Sequence, residues 1–167
     1  MILLVNDAVI LIDLLKVDLI GQFFQLKHEF YVTDFVAAEV QEKNVDQLHS
    51  FFQEERLIKK SFSFEELFQI QLLEVEHRAL SIPDCSCLYL AGKLSATLLT
   101  GDGALRRIAG QNKIPVHGIL WVFDELVKHA LISPKIAHEK LKKMISINNR
   151  LPVDECNKRL MKWKKGS

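Results

Sequence analysis

Two rhythms of apolar residues run along this chain: short unbroken runs, and longer stretches with apolar positions three or four apart. ILLV at 2–5 is a short solid run of the kind that forms a strand buried on both faces. Asp7 then opens AVILIDLLKVDLIGQFF, where the spacing predicts a helix. EFYV at 29–32 predicts a second strand. Thr33 or Asp34 can cap the helix FVAAEVQEKN, which carries Glu39 one turn in. A polar helix around Asp46–Glu55 leads to RLIKKSF, read as an edge strand. Ser63 then begins a long amphipathic helix, with Glu66 at capping-box distance.

The stretch from Ser81 to Gly103 is the most informative. Ser81 caps, Pro83 takes an early helical position and Asp84 lies in the first turn. The helix CSCLYLAGKLS leads to a buried strand, TLLT at 97–100. Gly101 makes the turn, Asp102 caps ALRRIAG, and IPVHG at 114–118 gives the last strand. Helices over LWVFDELVKHAL, SPKIAHEKLKKMIS and Pro152 to Lys164 finish the chain. Strands alternating with helices through short connections predict an α/β fold with a parallel sheet flanked by helices. There is no internal repeat, low-complexity segment or clear linker, and 167 residues suit one domain.

Composition narrows the class. The chain is 49% apolar and 26% charged, as in ordinary globular proteins. No apolar stretch reaches the ~18 residues needed to cross a bilayer, so no membrane partner is expected. The opening residues lack a basic segment, and Asn6, Asp7 and Asp13 interrupt their apolar run. The chain is therefore expected to begin at its first strand and to act in the cytoplasm. Cys85, Cys87 and Cys156 are too few for a disulfide framework and read as reduced, half-buried thiols. The net charge is only +1, yet Lys158, Arg159, Lys162, Lys164 and Lys165 close the chain without an acidic residue. Such a tail can touch phosphate or complement a helix dipole; the dipole reading is favoured.

The chemistry lies in four acidic residues: Asp7, Glu39, Asp84 and Asp102. In an open α/β sheet they converge at the crevice outside the carboxyl ends of the strands. Clustered carboxylates oppose one another's ionisation unless a cation joins them, and an oxygen-only site suits Mg²⁺ or Mn²⁺. Together they predict a metal-dependent nuclease. Each also has a structural reading. Asp7 and Asp102 serve as helix caps, and Asp84 is a first-turn acid favoured by the dipole. Glu39, among apolar neighbours, is costly unless paired or metal-bound. Asp13 falls off the Asp7 face of its helix and Asp34 reads as a cap. Arg106 and Arg107 can meet phosphate or simply face solvent, and Asn6 can bond substrate or a neighbouring loop. The six histidines show no ligand spacing, and no phosphate-binding glycine loop is present.

These segments resemble the PIN-domain family. LLVNDAVILIDLL is similar to its opening, where an Asp ends the first strand, and VAAEV to its early-helix Glu. SIPDCSCLYLAGKLSATLLTGDGALRRIA resembles its later half, an acid-led helix, a strand and then Thr-x-Asp. The resemblance implies a three-layer α/β/α fold with a central, mainly parallel sheet. Residues 1–131 would form the PIN-like nuclease domain, and residues 132–167 a C-terminal helical extension packed on it. It implies a ribonuclease with Asp7, Glu39, Asp84 and Asp102 at the metal and Thr100 as the hydroxyl neighbour. Asp7 and Asp102 would bind Mg²⁺ or Mn²⁺ directly, Asp84 would bind it or hold a water, and Glu39 would orient the water or complete the shell.

RNA is the implied partner. So are a homodimer and, if the chain is the toxin of a VapC-type toxin–antitoxin pair, an antitoxin protein. The dimer face would lie on the helix after Ser63, with Leu67, Ile70 and Leu73, or on LWVFDELV; a core role explains these residues equally well. The competing function is a non-catalytic PIN-like module that binds nucleic acid or protein. A phosphotransfer domain of receiver or dehalogenase type is disfavoured, because N-D-A replaces D-x-D and IPVHG lacks the late Lys.

Overall fold

A computed structural model describes residues 1–44 and 47–166. Strand β1 (Leu3–Asn6) leads to helices α1 (Ala8–Lys16) and α2 (Ile20–Phe23), then to β2 (Glu29–Thr33) and α3 (Asp34–Asn44). Helix α4 (His49–Gln53) and β3 (Leu57–Lys60) precede α5 (Phe64–Glu76) and α6 (Ile82–Leu94). Strand β4 (Thr97–Leu99), α7 (Gly103–Gln111) and β5 (Val116–His117) complete the alternation; α8 (Ile119–Lys128), α9 (Pro134–Ile147) and α10 (Val153–Lys165) follow. Asp46, the expected start of the polar helix, lies outside the described residues, and that helix is the short α4.

The five strands pair in the order β3-β2-β1-β4-β5, all parallel. Val5 is flanked by Tyr31 on one side and Leu98 on the other. The central strands are buried, with Leu4, Val5, Leu98 and Leu99 sealed from solvent, as parallel sheets require. From β1 the chain steps out to β3 at one edge, then crosses back through β4 to β5 at the other. Right-handed crossovers put the helices of these two journeys on opposite faces, giving the three-layer α/β/α fold. The direction reverses between β1 and β4, and a crevice opens there at the strands' carboxyl ends.

Caps predicted from local spacing are present. Ser63 with Glu66 and Ser81 with Asp84 both form reciprocal capping boxes. Thr33, rather than Asp34, caps α3: its hydroxyl accepts from the Val36 N–H at 3.1 Å, while Asp34 is the first helical residue. The long helix expected after Asp7 breaks in two at Asp18. That residue sits at φ 54, its N–H bonding back to Leu15 and the Leu19 N–H to Leu14. This is the double closure of a Schellman motif, with Leu19 buried beneath it.

Packing corrects one further expectation and decides between the two roles left open for the helix after Ser63 and for LWVFDELV. The cysteines are free but fully buried rather than half-buried. On α5, Ile70 is buried and Leu73 packs against the core, so they cannot share an exposed face with Leu67. The side left exposed carries Phe64, Phe68, Leu72 and Val75 along with Leu67. Helix α8 turns Leu120, Val122, Phe123 and Leu126 inward, leaving no broad apolar surface. Helices α9 and α10 bury Leu141, Met144 and Trp163, whose ring stacks on Phe123 at 6.1 Å. Arg159 closes this seam, gripping the Asp124 carboxylate with Nε at 3.0 Å and Nη2 at 2.6 Å. Among the described residues no helix is long and apolar enough to cross a membrane.

Candidate active site

The crevice between β1 and β4 is built on one hydroxyl. Thr100 follows β4 and is fully buried. Its Oγ1 donates to Asp7 Oδ2 at 2.8 Å and accepts the Asp102 N–H at 3.0 Å, so a single side chain ties the ends of β1 and β4 together. Asp7 is also an N-cap, its Oδ1 accepting the Ala8 N–H at 2.7 Å. Asp102 caps α7 through Oδ1, which accepts the Leu105 N–H at 2.8 Å.

The other two carboxylates arrive on helices. Asp84 lies in the first turn of α6, where its Oδ2 accepts from Ser81 N–H at 2.8 Å and from Ser81 Oγ at 2.7 Å. Glu39 lies on α3. A buried pair of hydroxyls, Thr33 and Ser86 at 2.8 Å, pins the start of α3 to α6. Ser86 gives its proton to the Pro83 carbonyl, so Thr33 must be the donor between the two. No sequence signal marks Ser86, because its role depends on a partner 53 residues away.

The electrostatics follow from burial. Asp7 is 5% exposed, and its carboxyl is pushed up from 3.8 to about 6. Loss of water is the main cause. The charges of Asp84 and Glu39 push the same way, and the bonds from Thr100 and Ala8 oppose them. Below the cluster, Cys87 is sealed from solvent and its thiol is pushed far up by burial and by Asp7, Asp84 and Glu39. It is a neutral floor to an acidic site rather than a nucleophile. Asp7, Glu39 and Asp84 thus share one field, while Asp102 joins them through Thr100. The desolvation cost expected at Glu39 from its apolar neighbours falls instead on Asp7, since Glu39 is only half-buried.

Residues 3–165 match the sequence profile of a family described as a PIN domain. The chain belongs to the PIN-domain family. No curated protein matches it. PIN domains are generally nucleases of the hydrolase class and typically use divalent metals, and this PIN domain carries their nuclease-like fold. Its acidic residues suit such an ion by chemistry. The donors are all oxygen, and a carboxyl raised by two neighbouring carboxylates is the group a cation would bring back to its ionised form. Among the described residues, no three acidic, histidine or cysteine side chains stand close enough to hold one ion as they are placed. The capping bonds show why, since each of Asp7, Asp84 and Asp102 has at least one oxygen turned to a helix end.

The remaining candidates settle as follows. Asp13 is outside the cluster and accepts from Asn148 Nδ2 at 2.9 Å. Asn6 bonds the strands, donating to the carbonyls of Leu4 and Tyr31; its buried Oδ1 has no partner among the described residues. Arg107 faces solvent, whereas Arg106 reaches back to the Thr100 carbonyl at 3.3 Å. The basic end of α10 is a helix C-terminus with Lys162, Lys164 and Lys165 in its last turn, opposite Asp154 and Glu155 in its first.

Proposed function

We propose that this PIN domain is a metal-dependent ribonuclease that hydrolyses RNA phosphodiester bonds, with Asp7, Glu39, Asp84 and Asp102 holding Mg²⁺ or Mn²⁺. The observation that carries the reading is Asp7. It is buried, raised to about 6 by desolvation and by Asp84 and Glu39, and linked through Thr100 to Asp102. A fold seeking stability alone would place an apolar or amide residue there. When bound, the cation supplies a Lewis acid for the phosphodiester and a water of lowered pKa. The protein's own groups do the rest. Thr100 fixes the Asp7 carboxylate and, by donating to it, favours its ionised form. The buried hydroxyls of Thr33 and Ser86 hold Glu39 and Asp84 on the same side of the crevice.

One observation favours a second reading, a non-catalytic module that binds nucleic acid or protein. Asp7, Asp84 and Asp102 all cap helices, so the fold itself has a use for them. Incubation of the purified protein with a mixed RNA pool and Mg²⁺ or Mn²⁺ separates the two. The nuclease reading expects cleavage that is lost with EDTA and lost in Asp102→Asn. Cleavage that persists in both controls overturns the acidic site, and absence of both cleavage and any metal response leaves the binding module.

A further inference from the structure

Beside the acidic cluster, a cavity of ≈ 590 Å³ opens from the Asp102 turn toward the α9–α10 connection. Its volume lies within the roughly 300–1,000 Å³ of small-molecule sites. We propose that it is a nucleotide subsite of the RNA substrate, with one base stacking against the His117–Trp121 pair and an adjoining phosphate meeting Arg106. The proposal rests on the nuclease reading for its substrate and extends it to residues outside the carboxylate set.

The aromatic wall comes first. His117 and Trp121 both line the cavity, their ring centroids 4.5 Å apart and their planes within 2° of parallel. His28 backs the same indole at 6.1 Å. Burial and the neighbouring Arg106 push the His117 imidazole below its ordinary range, so at neutral pH the stacked pair is uncharged, and a base would extend the stack on an outer ring face. Stacking on such a platform is worth about 1–3 kcal/mol per base and needs no particular base. Ile10, Leu120 and Leu151 give the rest of the wall its apolar character.

The cationic edge is equally constructed. Arg106 projects from the first turns of α7, and its Nη2 donates to the Thr100 carbonyl, beside Asp102. A Cβ at Gly118 would lie 2.8 Å from that nitrogen, so the guanidinium rests on bare backbone. The Gly118 backbone, at φ −114, is open to any residue, and a side chain there would displace the end of the flexible Arg106 side chain rather than strain the backbone. Among the described residues Arg106 makes no ion pair with a carboxylate, unlike Arg159. A guanidinium tethered at a cavity mouth by one hydrogen bond, with most of its five donors unspent, suits a phosphate.

The far wall explains what the last two helices contribute here. Asn148, just beyond α9, donates to the buried Asp13 on α1 at 2.9 Å, and Asn148 Oδ1 accepts the Arg150 N–H at 3.1 Å. These bonds hold the α9–α10 connection against the domain and give the notch beside Asp102 its second wall.

The test uses the full chain in EDTA, so that metal plays no part, and follows tryptophan fluorescence. Trp163 is buried in the α8–α10 seam and serves as the constant background for Trp121. The ligands are adenosine monophosphate and a short single-stranded oligoribonucleotide. Both are expected to quench Trp121 saturably; Arg106→Gln is expected to weaken binding at least ten-fold, and Gly118→Ala, which displaces the guanidinium, to weaken it by a smaller factor. Gly118→Ala reports on the guanidinium without removing it, and circular dichroism confirms that each variant is folded. No saturable quenching overturns the subsite, as does quenching that neither variant alters. Binding of the mononucleotide without the oligoribonucleotide also overturns it, since the cavity would then serve free nucleotides. Failure of the nuclease reading is seen separately: nucleotide binding in EDTA without cleavage in Mg²⁺ or Mn²⁺ removes the catalytic assignment and leaves the cavity as a binding site.

Discussion

Replacing Asp7 with asparagine changes one charge at the most stressed position of the site. The folded protein holds this carboxyl at about 6 against an ordinary 3.8, so its ionisation opposes folding. At about 1.4 kcal/mol per pKa unit, the gap is worth about 3 kcal/mol. The sign is that of a raised acid. The stability it contributes is complete below pH 3.8, is lost as pH rises through about 6, and stays lost above that. The amide of the variant carries no charge at any pH and escapes this loss. Against that gain, one carboxylate oxygen becomes an amide NH₂, disturbing the bond from either Thr100 or Ala8 at roughly 1 kcal/mol. The net is about 2 kcal/mol in favour of the variant at pH 7.5, falling close to zero by pH 4.5. For a domain of this size that is roughly 4–8 °C in melting temperature.

Paired thermal melts of Asp7→Asn and the parent protein at pH 7.5 and pH 4.5, in EDTA, read this difference directly. A repeat in Mg²⁺ or Mn²⁺ adds the functional half. An ion at one hundred times its dissociation constant stabilises the parent by about 2.7 kcal/mol, and the variant should gain far less. A variant less stable than the parent at pH 7.5 refutes the reasoning, because Asp7 would then be a net structural asset. An advantage that does not shrink at pH 4.5 refutes it too, since the gain would not come from ionisation.

Thr100→Val keeps the shape of the crevice but removes the proton given to Asp7 and the acceptor for the Asp102 N–H. It should lower stability by about 1–3 kcal/mol and push the Asp7 carboxyl higher still; carbon-detected NMR titration of Asp7 checks the second effect, and an unmoved midpoint argues against the bond. Ala130 ends α8 at φ 56, a left-handed backbone that burdens a side chain. Ala130→Gly should therefore raise stability by roughly 0.5–1 kcal/mol in a denaturant titration with an unchanged slope, and a loss of stability would show that the alanine methyl matters more than the strain.

What the sequence makes legible divides by distance along the chain. Ser63 with Glu66 and Ser81 with Asp84 lie three residues apart, so their caps follow from spacing alone, and the strand runs around Leu4 and Leu98 are solid enough to read as buried. Helix ends are harder, for a definite reason. Asp18, Glu55, Ser95, Lys113 and Ala130 all take the left-handed position after a helix, each closed by bonds back to the preceding turn, and none is glycine. A reading that looks for glycine there passes over them, which is why the spacing predicts one helix where α1 and α2 stand. The site divides the same way. The order and context of Asp7, Glu39, Asp84 and Asp102 mark them out, but apolar neighbours in the sequence point to Glu39 for the burden of burial. It falls on Asp7 because the fold buries the end of β1 and leaves Glu39 half-exposed, while Thr100, 93 residues away, relieves part of it. The cavity beside the site is the extreme case. Asp13, Arg106, His117, Trp121 and Asn148 have no common spacing, and only the reversal of strand order after β3 and the docking of the last two helices bring them around one space. A nuclease with this arrangement would owe its chemistry to residues that a sequence announces and its choice of substrate to residues that only the fold assembles.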